Sequence, residues 1–351
     1  MKKRNIPALL AALVPTVGAA SLISTAVAYR AIFPRYERPN YALVPGEYLY
    51  SRIADRLPRR EMYFKPHTHT LKGYFYGRTT SRGVVILRHG IHSGSDDYLP
   101  LTEALVRRGY GVFTYDGTGT FESEGKSTVG MCQAIIDLEA SLKYLLRKGE
   151  ISGAPIYLLG HSLGAYAVTA ALCTLDGISA VAAIAGMNSG IDIIADRVRE
   201  YIRVRGFVEL QQGILLAYQR YLFGHYVDMT AVSGIMRANV PTLLAHGVDD
   251  KVIRLSRQSI TAHTEPISAP NIEYYLGRGL VGGHNSIWHS PAAVSYKMQL
   301  ESDLKLLKMA SGGKASSAAR AKLYSGIDHK KFSEVNEELV DRIDATFRSA
   351  R

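Results

Sequence analysis

Cysteine is scarce: Cys132 and Cys173 are the only two in 351 residues. Neither belongs to a C-x-x-C pair or a Cys/His ligand pattern, which excludes a disulfide framework and a cysteine-built zinc site. They are expected as small buried apolar residues, with one disulfide between them as the alternative. The lysine of a phosphate-cradling loop is missing from the glycine-bearing stretch GTGTFESEG (117–125), so nucleotide-phosphate chemistry is not expected there. The pair His67 and His69 in PHTHT has no carboxylate or cysteine beside it in sequence, so no metal and no organic cofactor is expected. Internal repeats are absent.

A basic stripe across the folded part is also lacking. The first 60 residues hold ten Lys/Arg against three acids, so they carry +7 of the net +11. That surplus flanks the stretch IPALLAALVPTVGAASLISTAVAY (6–29), which has no charged residue. A nucleic-acid partner is therefore not expected, and a membrane reading is. About 20 apolar residues span a bilayer core, and Lys2, Lys3 and Arg4 would keep the N-terminus cytoplasmic. The expectation is a membrane anchor over 1–29 with the rest of the chain outside the cytoplasm. The alternative is a signal segment cut after the Ala-Val-Ala site at 26–28, releasing a secreted protein.

The remainder of the chain is strongly patterned. Residues 30–60, with four prolines among Arg and Tyr, are expected as a stalk. Short apolar runs then recur as strands: LKGYFYG (71–77), GVVILRHG (83–90), YGVFTYDGTG (110–119), APIYLLG (154–160), GISAVAAIAG (177–186), PTLLAHGVDD (241–250) and NIEYYLG (271–277). Between them lie helical spacings, clearest in GMCQAIIDLEASLKYLLRKG (130–149). Continuous apolar strands alternating with helices predict an α/β fold, a mostly parallel sheet flanked by helices, over 61–309. Residues 187–239 show no strand signal and are expected as a helical cap, with a long crossover as the alternative. A flexible break at 310–318 precedes a last helix packing back on the domain, so 310–351 is linker plus helix.

Within YLLGHSLGAYAVTA (157–170), Ser162 lies between Gly160 and Gly164, at the junction of a buried strand and an Ala-rich helix. A turn that sharp strains the serine backbone, and the glycines remove the collisions that side chains would make. It lifts the hydroxyl to the carboxyl edge of the sheet, where ligands bind in open α/β folds. A serine needs a base, and the base an orienting acid. Asp250 and Asp249 come after one strand and His284 after the next, so the order Ser…Asp…His is available. Asp250 is preferred, Asp249 is the runner-up and Asp192 a distant third; His289, His263 and His246 are poorer bases. The oxyanion donors are expected to be the N–H of Leu163 and of Ile91, after the strand ending in Arg88-His89-Gly90. The direction of the Arg88 side chain is left open.

Together LKGYFYG, VVILRHGIHSGSDDYLP, YDGTGTFESEGKSTVG, GHSLGAYAV, HGVDDKVI and GGHNS resemble the α/β-hydrolase superfamily. The branch most similar is the lysophospholipase-like or monoacylglycerol-lipase-like serine hydrolases. The pattern H-G-x-x-D-x-x-[VI] falls on His246, Gly247, Asp250 and Ile253, which favours Asp250 over Asp249. The resemblance implies the α/β-hydrolase fold, with Ser162 as nucleophile, His284 as base, Asp250 as acid, and Ile91 and Leu163 as oxyanion donors. It also implies cleavage of small-molecule or lipid acyl esters without a cofactor. The alternatives are a serine peptidase on the same three residues, and an inactive membrane-tethered binding protein.

Overall fold

The structure, a computed structural model, describes residues 22–23, 25–27, 29–46, 49–201, 205–264 and 271–350. Among them eight strands form one sheet: β1 (Arg59–Phe64), β2 (Leu71–Tyr76), β3 (Val84–Arg88), β4 (Gly111–Tyr115), β5 (Ile156–His161), β6 (Ala180–Ile184), β7 (Thr242–Gly247) and β8 (Ile272–Gly277). Their spatial order is β1-β2-β4-β3-β5-β6-β7-β8. The β1–β2 and β2–β4 pairs are antiparallel and every other pair is parallel. Burial explains the composition: every residue of β3 through β7 is buried, so these strands are mostly apolar on both sides rather than alternating.

The two-residue period of the strands feeds two separate cores. Val84 and Ile86 of β3 face α2 (Gln133–Arg147) and α3 (Leu163–Ala170), whereas Val85 and Leu87 face α1 (Leu99–Arg107) and the C-terminal helix. Between β6 and β7 come α4 (Gly190–Tyr201), α5 (Arg205–Phe223) and α6 (Ala231–Ala238), with no strand among the described residues. Close crossing seats α6 on α3, since a Cβ on Gly234 would lie 2.0 Å from the Thr169 carbonyl oxygen. After β8 come α7 (Pro291–Ala310), α8 (Ser317–Ser325) and α9 (Glu337–Ser349). Leu339, Val340, Ile343 and Phe347 of α9 are all 0% exposed, and Phe347 stacks on Tyr157 of β5 at 4.5 Å.

The N-terminal region differs from expectation. Most of the apolar stretch at 6–29 lies outside the described residues; among these no helix is long and apolar enough to cross a membrane. Among the described residues of 30–60, expected as a stalk, several segments pack against the domain. Tyr29 and Phe33 are buried, and Ile53 and Leu57 join the core beneath α1. The cause is the arginines. Arg35 donates to the carbonyls of Phe121, Ser123 and Gly125 at 2.6, 2.8 and 2.9 Å. Arg38 and Arg59 both pair with Asp96, Arg56 with Glu103 and Arg60 with Glu150. Arg59 also sits over the rings of Tyr50 and Tyr74 at 3.6 and 3.8 Å. Much of the N-terminal basic charge thus binds the domain itself. Cys132 and Cys173 are free thiols.

The packing of α9 makes a prediction. Phe347→Ala removes a fully buried ring and is expected to cost about 3–5 kcal/mol of stability, read as a lowered urea midpoint. A midpoint equal to wild type would mean that α9 is dispensable to the sheet.

Candidate active site

Ser162 links β5 to α3 with φ 56° and ψ −118°, a backbone conformation that a side chain enters only under constraint. The constraint is visible on both sides. A Cβ on Gly160 would lie 2.2 Å from the Gly164 carbonyl oxygen, and one on Gly164 would lie 2.0 Å from the Arg88 carbonyl oxygen. With no side chain at either position, α3 backs directly onto the ends of β5 and β3. The Ser162 N–H donates to the Ile184 carbonyl at 2.8 Å, which pins the turn to β6.

His284 and Asp250 meet Ser162 from two other loops. Nε2 of His284 is 2.9 Å from Ser162 Oγ, and Nδ1 is 2.7 Å from Asp250 Oδ2. The carboxylate only accepts, so Nδ1 carries the proton and Nε2 is left to accept from the serine hydroxyl. The other Asp250 oxygen accepts from the Val252 and Ile253 N–H groups at 2.8 and 2.9 Å. Burial alone would raise the Asp250 pKa, but His246, His284 and the Ile253 N–H hold it well below the usual carboxylate range. The two loops are laced together by Asp249 N–H donating to the Gly282 carbonyl at 2.8 Å. A Cβ on Gly247 would lie 2.2 Å from that same carbonyl oxygen. Asp249 is exposed beside this site, and Asp192 is exposed in the first turn of α4. Of the other histidines, His289 lies against Trp288 with the rings tilted by 33° and His263 bonds the Ser259 carbonyl.

The turn after β3 closes on the serine from the far side. A Cβ on Gly90 would lie 3.3 Å from Ser162 Cβ, so the backbone leading into Ile91 passes directly alongside. His89 clamps it: Nδ1 donates to the Gly90 carbonyl at 2.7 Å and Nε2 accepts from the Gly117 N–H at 3.0 Å. Burial first, then the Arg88 charge, keep this imidazole neutral by pushing its pKa far down. Leu163 is the first residue of α3, so its N–H lies outside the helical ladder. Ile91 and Leu163 line one cavity. His67 and His69 lie in the bend between β1 and β2, and no group of three or more potential metal ligands occurs among the described residues.

Sequence reasoning missed two residues, His161 and Tyr98. Nε2 of His161 bonds the His284 carbonyl at 3.0 Å, so that nitrogen carries the proton, and Nδ1 accepts from the Tyr98 hydroxyl at 2.7 Å. The Tyr98 oxygen in turn accepts from the Gly90 N–H at 3.1 Å. One imidazole therefore joins the serine strand, the histidine loop and the turn before Ile91. His246, set aside as a base and matched to the H-G-x-x-D pattern, stands beside the acid: its Nε2 donates to the Ile253 carbonyl at 2.9 Å and lies 3.3 Å from Asp250 Oδ2. For His161 a signal existed, since it directly precedes Ser162. Nothing local marks Tyr98.

Residues 79–211 match the model of the family described as "Serine aminopeptidase, S33". No curated protein matches the chain. Among solved structures, the esterase Pf2001 of Pyrococcus furiosus is similar at 19% identity and a TM-score of 0.52, over 72% of this chain and 90% of that one. A second crystal form of it aligns over 78% of this chain and 98% of that one, again with a TM-score of 0.52. The acylaminoacyl peptidase of Pyrococcus horikoshii aligns at 15% identity over 67% of this chain and 39% of that one, with a TM-score of 0.48. At these identities the likeness is one of architecture, and this chain has the α/β-hydrolase fold.

The buried neutral imidazole of His161 gives a pH prediction. Burial first, then the nearby His284, lower its pKa from 6.5 to about 3. The unfolded chain therefore takes up this proton before the folded one does, and stability falls as pH drops from about 6.5 toward about 3. His161→Asn is expected to flatten the dependence of the urea midpoint on pH between about 6.5 and 4. An unchanged slope would assign the acid loss to other groups.

Proposed function

We propose that this protein is a serine hydrolase that cleaves carboxylic esters through an acyl-enzyme. The observation that carries the reading is the single hydrogen-bonded line from Asp250 through His284 to Ser162, at 2.7 and 2.9 Å. Ser162 Oγ attacks the ester carbonyl while His284 Nε2 takes its proton, and Asp250 holds the resulting imidazolium in place. The N–H groups of Leu163 and Ile91 receive the negative charge on the carbonyl oxygen. Collapse of that intermediate expels the alcohol, to which His284 returns the proton. Water, activated by the same imidazole, then adds to the acyl-serine and releases the acid.

The substrate class is inferred to be a small or lipid acyl ester of the lysolipid kind. This rests on the resemblance of GHSLGAYAV, HGVDDKVI and GGHNS to lysophospholipase-like hydrolases. The aminopeptidase family match at 79–211 favours a second reading, in which the same serine opens an amide. An activated fluorophosphonate is expected to label the wild type and not Ser162→Ala. Of short-chain esters, lysolipids and aminoacyl-proline amides, the wild type is expected to turn over the esters fastest. Faster release of the amide would replace the ester reading, and no labelling of the folded wild type would remove both.

The location is inferred from the uncharged stretch at 6–29 behind Lys2, Lys3 and Arg4: a membrane anchor with the catalytic domain outside the cytoplasm. N-terminal sequencing of protein recovered from cells is expected to begin at or near Met1. A mature chain starting at Tyr29 would replace the anchor by a cleaved signal and a secreted protein.

A further inference from the structure

The chemistry read at Ser162 needs two loops in register. Ile91, read as an oxyanion donor, follows β3, whereas the base His284 follows β8, far along the chain. Donors act on an oxyanion only from about 2.7–3.1 Å, and a misplacement of about 1 Å costs roughly 10²-fold in rate. Two loops that drift independently do not both keep such tolerances, so what joins them bears on the reaction.

Two buried side chains make the join. Tyr98 and His161 are each 4% exposed. Tyr98 stands just before α1, and His161 ends β5 directly ahead of Ser162. The Tyr98 hydroxyl accepts from the Gly90 N–H at 3.1 Å and donates to His161 Nδ1 at 2.7 Å. His161 Nε2 then donates to the His284 carbonyl at 3.0 Å. The Tyr98 ring also stacks on Trp288, just past the base, with centroids 5.7 Å apart and planes inclined by 23°. The pair therefore grips the histidine loop at two points.

At its other end the grip reaches the peptide that carries the Ile91 N–H. The Gly90 carbonyl and the Ile91 N–H belong to one planar trans unit, so whatever turns one turns the other. That carbonyl faces His89 Nδ1 at 2.7 Å and Ser93 Oγ at 2.9 Å, while Tyr98 takes the N–H of the unit before it. A Cβ on Gly90 would lie 3.2 Å from the Tyr98 hydroxyl and 3.3 Å from Ser162 Cβ. The hydroxyl thus touches the same glycine that abuts the nucleophile. Packing alone does not call for these two groups. Phe and Leu would fill such space without burying a hydroxyl and an imidazole, which is costly unless their hydrogen bonds are met. Here they are met, and at both ends by the main chain of a loop that serves Ser162.

We propose that Tyr98 and His161 are positioning residues for the hydrolysis: together they lock the turn into Ile91 to the loop of His284, so that donor and base keep their register on Ser162. This role rests on reading Ser162 as the nucleophile, His284 as its base and the Ile91 N–H as a donor.

Turnover of 4-nitrophenyl butyrate, or of an aminoacyl-proline 4-nitroanilide if the wild type prefers amides, checks this. Expressing kcat per fluorophosphonate-titratable site leaves misfolded protein out of the count. Tyr98→Phe keeps the ring on Trp288 and removes one oxygen, whereas His161→Leu removes the whole link. Each is expected to lower kcat by about 10-fold or more with KM within about two-fold, since geometry at the reacting atoms is lost and substrate affinity is not. In Tyr98→Phe/His161→Leu the loss is expected to match the larger single loss and not their product, because the two act as one link. His161→Gln, whose amide has both a donor and an acceptor, is expected to recover part of the His161→Leu loss. A kcat near wild type in either single variant, a loss confined to KM, losses that multiply, or a Gln variant no better than Leu overturns the positioning role. Should His161→Leu fail to fold by circular dichroism, Tyr98→Phe decides by the same kcat and KM criteria. If the wild type takes the label without turning over either substrate, the second-order rate of labelling replaces kcat. A wild type that neither labels nor turns over removes the hydrolase reading and this role with it, whereas an active wild type with unaffected variants removes this role alone.

Discussion

The approach of α3 to the sheet at Gly164, where any side chain would collide with the Arg88 carbonyl, sets the terms for the rest of the molecule. A helix that starts so close to β3 and β5 leaves one residue to reverse the chain direction, and that residue is Ser162 at positive φ. The strain at the serine is the local cost, and the surrounding packing offsets it: every residue of β5 and α3 is buried. Because the same contact fixes β3 relative to the serine, it also fixes the turn through Gly90 to Ile91. The serine turn and the turn into Ile91 are thus consequences of one steric condition.

Around that frame the polar groups are arranged in two neutral imidazoles and one charged acid. His89 holds the turn before Ile91 and His161 ties it, through Tyr98, to the backbone of His284. Both are buried and kept uncharged, so each presents one donor and one acceptor in a fixed sense. A protonated ring at either place would offer a donor where the structure needs an acceptor. Asp250, by contrast, is supplied with enough donors to stay ionised against His284.

Much of this was readable in the chain because it arises from local chemistry. Apolar runs mark the central strands since burial on both faces demands it, and Gly160 and Gly164 mark the elbow since a side chain has no room there. Asp250 over Asp249 was a preference that the resemblance strengthened; in the structure the neighbouring residue is exposed and the chosen one buried. Tyr98 and His161 escaped because their roles arise where distant segments meet, and a tyrosine in a loop looks alike whether or not it holds a hydrogen bond. The stretch at 30–60 misled for the opposite reason. Arginine-rich, proline-punctuated sequence looks like a solvated spacer until its charges find Asp96, Glu103 and the carbonyls of 121–125.

That stretch changes where the domain begins. The first strand starts at Arg59, yet Phe33 forms a wall of the pocket beside Leu163, and Arg35 binds the loop that covers it. A chain trimmed to the sheet and its helices would keep the three aligned residues and lose part of the chamber next to them. What precedes the sheet is therefore part of the pocket wall, and the folded domain includes at least Tyr29 and Phe33.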